Sequence, residues 1–414
     1  MTVATSSAST DPVTLLRDPA TIRARCAQVF AAAQAGRTRH FAVDLDRLPD
    51  CTRYVARVMD EAWPDGRVPF HARWRHFGVG VPGIDRWAPI AARLVGRPPI
   101  DRLRAAFDLA ILSVLLDAGA GPDWRYRAAD GATFTRSEGL AVASLEMFSA
   151  GAFSADARDP LRADAAALAA LAPRVLADGF QVSSGNPLVG LEGRAALLRR
   201  LGTEIDDAAA EFSGLGRVGG LADRLLARAA GGRLEAAEIL ACVLRALGPI
   251  WPARVVVDGV NLGDVGRHPA ASAADRSDGF VPFHKLSQWL AYSLIEPLQA
   301  HGVDVVALDA LTGLPEYRNG GLFIDCGVIV PRHRDILTGS HDATSELVVE
   351  WRALTVCLLD RVAEGMRAAR GLDAVSLPLV KVLEGGTWAA GRRIARELRP
   401  DGSPPIAVIS DGTV

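Results

Sequence analysis

The chain has 414 residues, of which 49% are hydrophobic and 23% are charged, and these values are typical of a globular protein with a large core. Its 46 Lys and Arg residues nearly balance its 48 Asp and Glu residues, giving a net charge of -2. Since binding to a nucleic acid depends on a basic surface, this balance argues against a nucleic-acid partner. A few local arginines could still bind a small anion.

The cysteines and the N-terminus indicate the compartment. Five cysteines are scattered along the chain without a C-x-x-C pair, which is typical of a reducing environment. The opening MTVATSSASTDP lacks the charged and apolar regions of a signal peptide. The apolar run LAILSVLL (109–116) is too short to span a bilayer. We therefore predict a cytoplasmic protein with no membrane partner.

The predicted elements are mostly helices, and they follow a disordered tail over residues 1–15. The segment 18–36 has an Asp cap, a proline in its first turn and a closing glycine. The segment 101–121 is apolar on most sides, which predicts a central buried helix. Two long helices are predicted late in the chain, over 281–302 and 344–371, the second with Ser and Thr caps and a closing glycine.

Strand signals are few. Enrichment in β-branched residues predicts short strands over 253–260, 303–310 and 322–330. The predicted fold class is therefore mainly α with a few short strands. Residues 16–414 are expected to form a single catalytic unit, compatible with a helical N-terminal lobe over 16–245 and a catalytic C-terminal lobe over 246–414.

One carboxylate stands inside an otherwise apolar run. The stretch GGLFIDCGVIVP (320–331) contains Asp325 among glycine, cysteine, proline and apolar residues. A buried ionised carboxylate is costly unless it is paired or hydrogen-bonded. Two interpretations are open: Asp325 pairs with an interior arginine or caps a turn, or it is a catalytic acid of the kind that active sites collect.

The two late helices carry further candidates. Lys285, Gln288 and Tyr292 share one stripe of the helix at 281–302, beside an apolar stripe that includes Trp289. This arrangement fits either a pocket wall or a solvated face. On the later helix a Glu pair at 346 and 350 has the spacing of one turn. Such a pair could do acid–base work, although exposed helical acids are more common.

Two loops combine arginines with aromatic residues, a pattern that can stack on a ring or hold a phosphate. They are FHARWRHFG, with Arg75, and DWRYRAADGATFTRSEG, with Trp124 and Arg136. The stretch EGGTWAAGRR (384–393) could offer free backbone N–H groups to a phosphate, or simply begin a helix. His71 and His76 lack metal-ligand spacing, so neither a metal nor an organic cofactor is expected.

Several longer motifs resemble a known family. FHKLSQWLAYSLIEPL, LTGLPEYRNGGLFIDCGVIVP, LDAGAGPDWRY, RSEGLAVASLEMFSAGAFS, LGPIWP and LEGGTWAAGR resemble the uracil-catabolism proteins long called domain of unknown function 1688, over residues 20 to 400. The resemblance implies a route in which uracil becomes a ribonucleotide, its ring is opened, and a ribosylurea remains to be cleaved.

The late part of the chain is also similar to the queuosine-salvage nucleotide N-glycosylases. The counterparts of that family's motifs are Lys285 and Gln288; Phe323, Asp325 and Pro331; and Glu350, Arg352 and Ala353. The spacing from Val328 to Pro331 is two residues longer here, and Trp351 replaces an aliphatic residue. This similarity implies a fold reminiscent of helix-hairpin-helix DNA glycosylases, with Asp325 supporting departure of the base.

Together these resemblances imply an N-glycosidase that cleaves a 5-phosphorylated ribosylurea into urea and ribose phosphate. Asp325 would stabilise the oxocarbenium-like state and activate water, while Glu350 or Gln288 would assist the leaving group. The expected binding residues are Lys285, Gln288, Trp289, Tyr292, Phe323, Arg352, Arg75, Arg136 and Trp124, with Arg392 as a further phosphate candidate. The alternatives are an amidohydrolase that attacks the ureido carbonyl and a non-enzymatic nucleotide sensor.

Overall fold

The structure is a computed structural model that describes residues 11–80, 83–251 and 255–409. It is mainly α-helical, as predicted. The α-helices, in chain order, are α1 (Pro12–Leu16), α2 (Pro19–Gln34), α3 (Leu48–Ala62), α4 (Arg73–Phe77), α5 (Ala88–Ala92), α6 (Pro99–Leu115), α7 (Arg136–Ser149), α8 (Ala165–Ala169), α9 (Pro173–Gly179), α10 (Leu191–Asp207), α11 (Gly220–Leu226), α12 (Ala236–Leu247), α13 (Lys285–Ala300), α14 (Tyr317–Asp325), α15 (Asp335–Thr338), α16 (Glu346–Arg370), α17 (Leu379–Val382) and α18 (Trp388–Leu398).

The strands are short and pair two by two. They are β1 (Phe41–Val43), β2 (Tyr126–Arg127), β3 (Thr133–Phe134), β4 (Arg233–Glu235), β5 (Val256–Val257), β6 (Val260–Asn261), β7 (Val265–Arg267), β8 (Phe280–Pro282), β9 (Asp304–Val306), β10 (Ile329–Pro331), β11 (Ser340–Asp342) and β12 (Ala407–Ile409). The pairs β1–β10, β2–β3, β5–β6 and β7–β8 are antiparallel, and β4–β9 and β11–β12 are parallel. These pairs join loops between helices and do not form a sheet core.

The helices predicted from caps and apolar patterns are confirmed. The Asp18 side chain accepts a hydrogen bond from the backbone of α2, and Pro19 occupies its first position. Helix α6 is buried along most of its length, as expected of a central helix. Helix α16 begins with a hydrogen bond to the Ser345 side chain and ends at Gly371, whose φ of 63° lies in the left-handed region that glycine tolerates.

The strand predicted over 322–330 is wrong for most of its length, because residues 317–325 form helix α14 and only Ile329–Pro331 are a strand. The Glu316 carboxylate caps this helix. Gly320 lets the helix approach the Trp351 indole, and a Cβ added there would lie 2.7 Å from the ring. A capping carboxylate and close helix packing therefore outweigh the strand preference of the apolar residues.

The other predicted boundaries also shift. Strands form at 256–257 and 304–306 within the predicted ranges, while residues 252–254 lie outside the described ranges. Residues 1–10 of the predicted tail also lie outside them, and the tail's predicted end falls inside helix α1.

One hydrophobic core cluster includes residues from Ile22 to Ile406, and a smaller cluster forms around Leu16 and Phe280. The β4–β9 pair crosses the lobe boundary suggested at residue 245, and the division into lobes stays a prediction. Among the described residues, no helix combines the length and the apolar character needed to cross a membrane.

Helix packing predicts that alanine substitution at two glycines of α10 has different effects on the free energy of unfolding. A Cβ at Gly202 would collide with the backbone of α8, whereas a Cβ at Gly193 would meet nothing within 4 Å. We expect Gly202→Ala to lower the free energy of unfolding by about 1–3 kcal/mol through overpacking. Gly193→Ala, the matched control, should leave it unchanged or raise it by up to about 1 kcal/mol. Chemical denaturation of both variants measures the difference, and equal stabilities would contradict this account of the packing.

Candidate active site

A cavity of about 740 Å³ lies where several helices begin. Such a volume is within the usual range for small-molecule sites. Its walls come from the loop after α6, the first residues of α7, α13 and α14, the middle of α16, the start of α18, and the segment 401–408. The polar and aromatic side chains on these walls are His71, His76, Asp117, Arg136, Ser137, Lys285, Trp289, Glu316, Tyr317, Arg318, Trp351, Arg352, Thr355, Trp388, Asp401 and Ser403.

Lys285 supplies an ammonium group to the cavity from the first position of α13. The preceding residue, His284, has a φ of 49°, an uncommon backbone conformation for a residue other than glycine. The carboxylate of Asp264 accepts the Lys285 backbone N–H at 2.9 Å and also pairs with Arg352 through two contacts of 2.7 Å. The Asp264–Arg352 pair therefore holds the start of α13 against α16.

The charge of Lys285 is available to a ligand. Within the described part of the chain, its ammonium makes no ion pair. Burial, with a contribution from the nearby Arg352, lowers the pKa of Lys285 to about 8. The amine is thus still mostly protonated at neutral pH, and an anion bound in the cavity would restore the stabilisation that the ammonium loses on burial.

Glu316 places a carboxylate in the same cavity. Its two oxygens accept the backbone N–H groups of Arg318 at 2.8 Å and Asn319 at 2.7 Å. Burial raises the pKa of Glu316, while these two hydrogen bonds and the charges of Lys285 and His71 act in the opposite direction. The capping bonds fix the orientation of the carboxylate, and its remaining lone pairs are free for a ligand or a water.

A second cavity carboxylate, Asp117, is held by buried groups. Its Oδ2 accepts hydrogen bonds from the Arg73 guanidinium at 2.9 Å and from the Ser137 hydroxyl. Arg73 is fully buried and also donates to Ser113 at 2.7 Å. Its Nη2 atom has no hydrogen-bond partner among the described residues. This network fixes Asp117 beside the first turn of α7.

Four rings form an aromatic wall. The ring centres of His71 and His76 lie between 5.7 and 6.5 Å from those of Trp289 and Trp388. The buried indole Nε1 of Trp289 has no hydrogen-bond partner in the described ranges, so it can donate to a ligand. Burial, together with the charge of Arg73, lowers the pKa of His76 well below its usual value, which keeps that imidazole neutral.

The imidazole of His71 has a carboxylate partner, Glu384. Its Nδ1 lies 2.6 Å from Oε2 of Glu384. Glu384 belongs to a π-helical turn, Leu383–Thr387, directly before α18, and such turns often occur at functional sites. A carboxylate on one ring nitrogen orients the imidazole and leaves the other nitrogen for proton transfer.

Three helix N-termini meet at the cavity, those of α7, α13 and α14. The first turns of α7 and α13 carry partial positive charge, whereas at α14 the Glu316 carboxylate already accepts two of the backbone N–H groups. Arg136, the first residue of α7, is exposed with a φ of 54° and makes no ion pair among the described residues. With Lys285, these helix ends make one side of the cavity suitable for an anion such as a phosphate.

Of the residues proposed from sequence, Lys285, Trp289, Arg136 and Arg352 line this cavity, although Arg352 is already paired with Asp264. Asp325 does not line it. The Asp325 carboxylate lies at the opposite end of α14 from Glu316 and forms a bidentate pair with Arg399, at 2.8 and 2.6 Å. This geometry corresponds to the structural interpretation of Asp325, in which the pair compensates the cost of burial.

Four other candidates make structural contacts away from the cavity walls. Gln288 hydrogen-bonds to Thr312 through both its amide nitrogen and oxygen, and the Tyr292 hydroxyl donates to the Thr312 carbonyl at 2.9 Å. The Trp124 indole donates to the Phe180 carbonyl at 3.0 Å. Phe323 is fully buried in the hydrophobic core. Their expected contact with a ligand therefore has no geometric support.

The remaining three candidates from the sequence also lie outside the walls of this cavity. Nη2 of Arg75 donates to both carboxylate oxygens of Glu296, at 2.7 and 2.8 Å, beside a different cavity. Arg392 lies over the Trp388 ring and 3.4 Å from Glu138. Glu350 is fully buried and accepts the backbone N–H of Phe41 at 2.8 Å. None of these three lines the cavity that contains Lys285.

The sequence reasoning did not select Asp117, Glu316, His71 or Trp388 as site residues. Each lies within or beside a motif that it did single out: LDAGAGPDWRY, LTGLPEYRNGG, FHARWRHFG and EGGTWAAGRR. One sequence signal could have identified Glu316: it stands directly before a helix start, which is the position of a capping carboxylate.

Comparison with known proteins places the chain in a family. The family described as "Protein of unknown function (DUF1688)" matches residues 15–414. The chain belongs to this family. It is 37% identical over 415 residues to "Protein urg3" of Schizosaccharomyces pombe (strain 972 / ATCC 24843), covering 98% of this chain and 100% of that protein. It is 36% identical over 442 residues to "Uracil catabolism protein 4" of Lachancea kluyveri, covering 98% and 99%.

The Asp325–Arg399 pair predicts a structural effect for Asp325→Asn. Because the Asp325 side chain is only 4% exposed, losing its charge should lower the free energy of unfolding by about 1–3 kcal/mol, measured by chemical denaturation. Asp206→Asn, at an exposed position of α10, is the control and should change it by less than about 0.5 kcal/mol. An Asp325→Asn variant as stable as the control would contradict a stabilising pair.

The substitution Lys285→Met tests whether burial of the Lys285 ammonium destabilises the folded protein. The folded pKa of about 8 lies below the unfolded value of about 10.4. The unfolded chain therefore binds more protons between these pH values, and the stability contributed by Lys285 rises with pH across that window. We expect Lys285→Met to raise the free energy of unfolding at pH 7 by about 1–3 kcal/mol and to remove this pH-dependent rise.

The matched control is Lys381→Met, since Lys381 is the other lysine of the chain and lies on α17. Melting temperatures of wild type and both variants at pH 7 and pH 10 provide the measurement. If Lys285→Met destabilises the protein at pH 7, the ammonium is not desolvated as described.

Proposed function

We propose that this protein is a hydrolase of uracil catabolism that cleaves the C–N bond between ribose and urea in a 5-phosphorylated ribosylurea. The place in uracil catabolism is supported by the full-length similarity to a relative named for that process. The reaction type is supported by the cavity. The observation that carries it is that Lys285, Glu316 and Asp117 meet in one cavity beside an aromatic wall, joining an anion site to two carboxylates.

The phosphate binds at the positive side of the cavity. Lys285 provides an ammonium, Arg136 a guanidinium at the mouth, and the first turns of α7 and α13 provide partial positive charge. A phosphate held there restricts the ribose to the space between this side and the carboxylates. Fixing the sugar in this way removes part of the entropic cost of reaching the transition state.

Cleavage places positive charge on the sugar, because the C–N bond breaks in an oxocarbenium-like transition state. Glu316, fixed by its two backbone hydrogen bonds, stabilises that charge and takes a proton from the attacking water. The water oxygen forms the new bond to the anomeric carbon. Asp117, hydrogen-bonded to Arg73 at 2.9 Å, adds negative potential. A carboxylate oriented before the reaction needs no reorganisation as the charge develops.

The urea nitrogen must gain a proton as it leaves with the bonding electrons. His71, backed by the Glu384 carboxylate at 2.6 Å, donates that proton and is restored by proton exchange with solvent. The planar ureido group lies against Trp289, whose unpartnered indole N–H donates to its oxygen. The products are urea and ribose 5-phosphate, and no oxidant or cofactor is consumed.

Product analysis tests the proposal. Purified protein is incubated with ribosylurea 5-phosphate in ¹⁸O-labelled water, and urea and sugar phosphate are measured by mass spectrometry. We expect urea without label and one ¹⁸O atom in the sugar phosphate. Loss of the general base or of the general acid typically costs about 10²–10⁴-fold in rate, so Glu316→Gln and His71→Asn should each reduce turnover by that order.

Asp325→Asn is the control for Glu316→Gln, since both remove one carboxylate from helix α14 or its cap. Its turnover should stay within about threefold of wild type at a temperature where the variant is folded. Ammonia and carbon dioxide as products would instead indicate an amidohydrolase. Substrate binding without turnover would indicate a sensor. Loss of turnover in Asp325→Asn with retention in Glu316→Gln would return the catalytic role to Asp325.

A further inference from the structure

A second cluster of polar side chains lies at the N-terminal end of α16. His40, directly before β1, and Glu346 and Glu350, one turn apart on α16, bring one donor atom each within 4.8 Å of one another. Nε2 of His40 is 3.7 Å from Oε1 of Glu346. Glu350 is fully buried. None of the three lines the cavity that contains Lys285, so the proposed glycosidase reaction does not explain them.

The spacing of these donors is close to that of metal ligands. Two ligands bound tetrahedrally to one zinc ion at about 2.0–2.2 Å lie about 3.3–3.6 Å apart. The His40–Glu346 distance of 3.7 Å is near this range. One imidazole and two carboxylates form a ligand set that suits a first-row transition metal. Two carboxylates brought together here also create negative charge that a divalent cation would compensate.

The cluster has supporting hydrogen bonds of the kind that orient metal ligands. Glu350 accepts the backbone N–H groups of Phe41 at 2.8 Å and His40 at 3.3 Å, which leaves further lone pairs on its carboxylate. The buried His268 places its Nε2 atom 3.4 Å from Oε2 of Glu350. Nδ1 of His268 accepts the backbone N–H of Ala270 at 3.1 Å, so Nε2 carries the proton and donates to Glu350. These contacts fix the orientation of Glu350.

The partly open side of the cluster leaves room for a metal's remaining ligands. The side chains of His40 and Glu346 are 17% and 37% exposed, so solvent reaches the outer two donors while Glu350 closes the inner side. Three protein ligands with an accessible fourth position are common in zinc proteins. A metal bound here would link the segment before β1 to α16.

We propose that His40, Glu346 and Glu350 bind one divalent transition-metal ion, of which Zn²⁺ is the probe. The paired carboxylates that the sequence suggested for acid–base work are, on this proposal, ligands. The imidazole favours Zn²⁺ over Mg²⁺, which prefers octahedral oxygen ligands. The proposal is independent of the glycosidase function, since it uses different residues.

Metal titration of the full-length protein tests the proposal. The protein is freed of metal with a chelator and titrated with Zn²⁺ and separately with Mg²⁺, with calorimetry for affinity, elemental analysis for stoichiometry and melting temperature as a second measure. We expect one Zn²⁺ per chain, a rise in melting temperature, and weaker binding of Mg²⁺. His40→Ala and Glu346→Gln should each weaken Zn²⁺ binding by about 10-fold or more, since even outer partners of metal ligands are worth about 10–100-fold.

Glu364→Gln is the matched control, because Glu364 is exposed on the same helix and belongs to no such cluster of described residues. It should bind Zn²⁺ as wild type does. Both ligand variants change partly exposed side chains, and circular dichroism of the metal-free proteins checks that they fold. The proposal is overturned if the protein binds no Zn²⁺, or if His40→Ala and Glu346→Gln bind it as tightly as Glu364→Gln.

Discussion

The carboxylate of Glu316 links the fold to the cavity. It accepts the backbone N–H groups that begin α14, and it also forms part of the cavity wall. Burial acts against its charge, while the two backbone hydrogen bonds and the nearby Lys285 favour it. The same hydrogen bonds that cap α14 therefore hold the Glu316 carboxylate in a fixed orientation, at a position that a ligand in the cavity can reach. A catalytic base in this position would incur no separate cost of orientation.

A comparable set of hydrogen bonds positions Lys285, which brings positive charge to the cavity. Asp264 joins α16, through Arg352, to the first backbone N–H of α13. Lys285 follows directly on the strained His284, and this contact fixes the backbone from which its side chain enters the cavity. Arg73 does the same for Asp117 from a fully buried position. The Asp117 carboxylate and the backbone of Lys285 are therefore held by buried pairs whose members come from distant parts of the chain.

Much of the fold could be predicted from local patterns. Caps identified α2 and α16, whose N-termini do receive side-chain hydrogen bonds. Apolar patterns identified α6 and α13, which bury those apolar residues. Helix α14 was missed because its residues Leu322, Phe323 and Ile324 have strand-like character. What decides its structure is a preceding cap and the packing of Gly320 on Trp351.

The cavity was harder to predict than the fold. Lys285, Trp289 and Arg136 were identified from sequence, but the carboxylates that face them were not, because Asp117 and Glu316 converge with Lys285 only in three dimensions. The apolar run around Asp325 drew attention to the end of the same helix opposite to Glu316. The Asp325 carboxylate is compensated by Arg399, 74 residues away, and no local pattern indicates that partner.

The most direct test of the central claim is a crystal structure of the Glu316→Gln variant with ribosylurea 5-phosphate. If Glu316 stabilises the charge at the anomeric carbon and activates the attacking water, this carbon should lie within about 4 Å of the side chain at position 316, with the phosphate on Lys285 and Arg136. A sugar bound next to Asp325, or a ligand oriented with its phosphate towards position 316, would contradict the account.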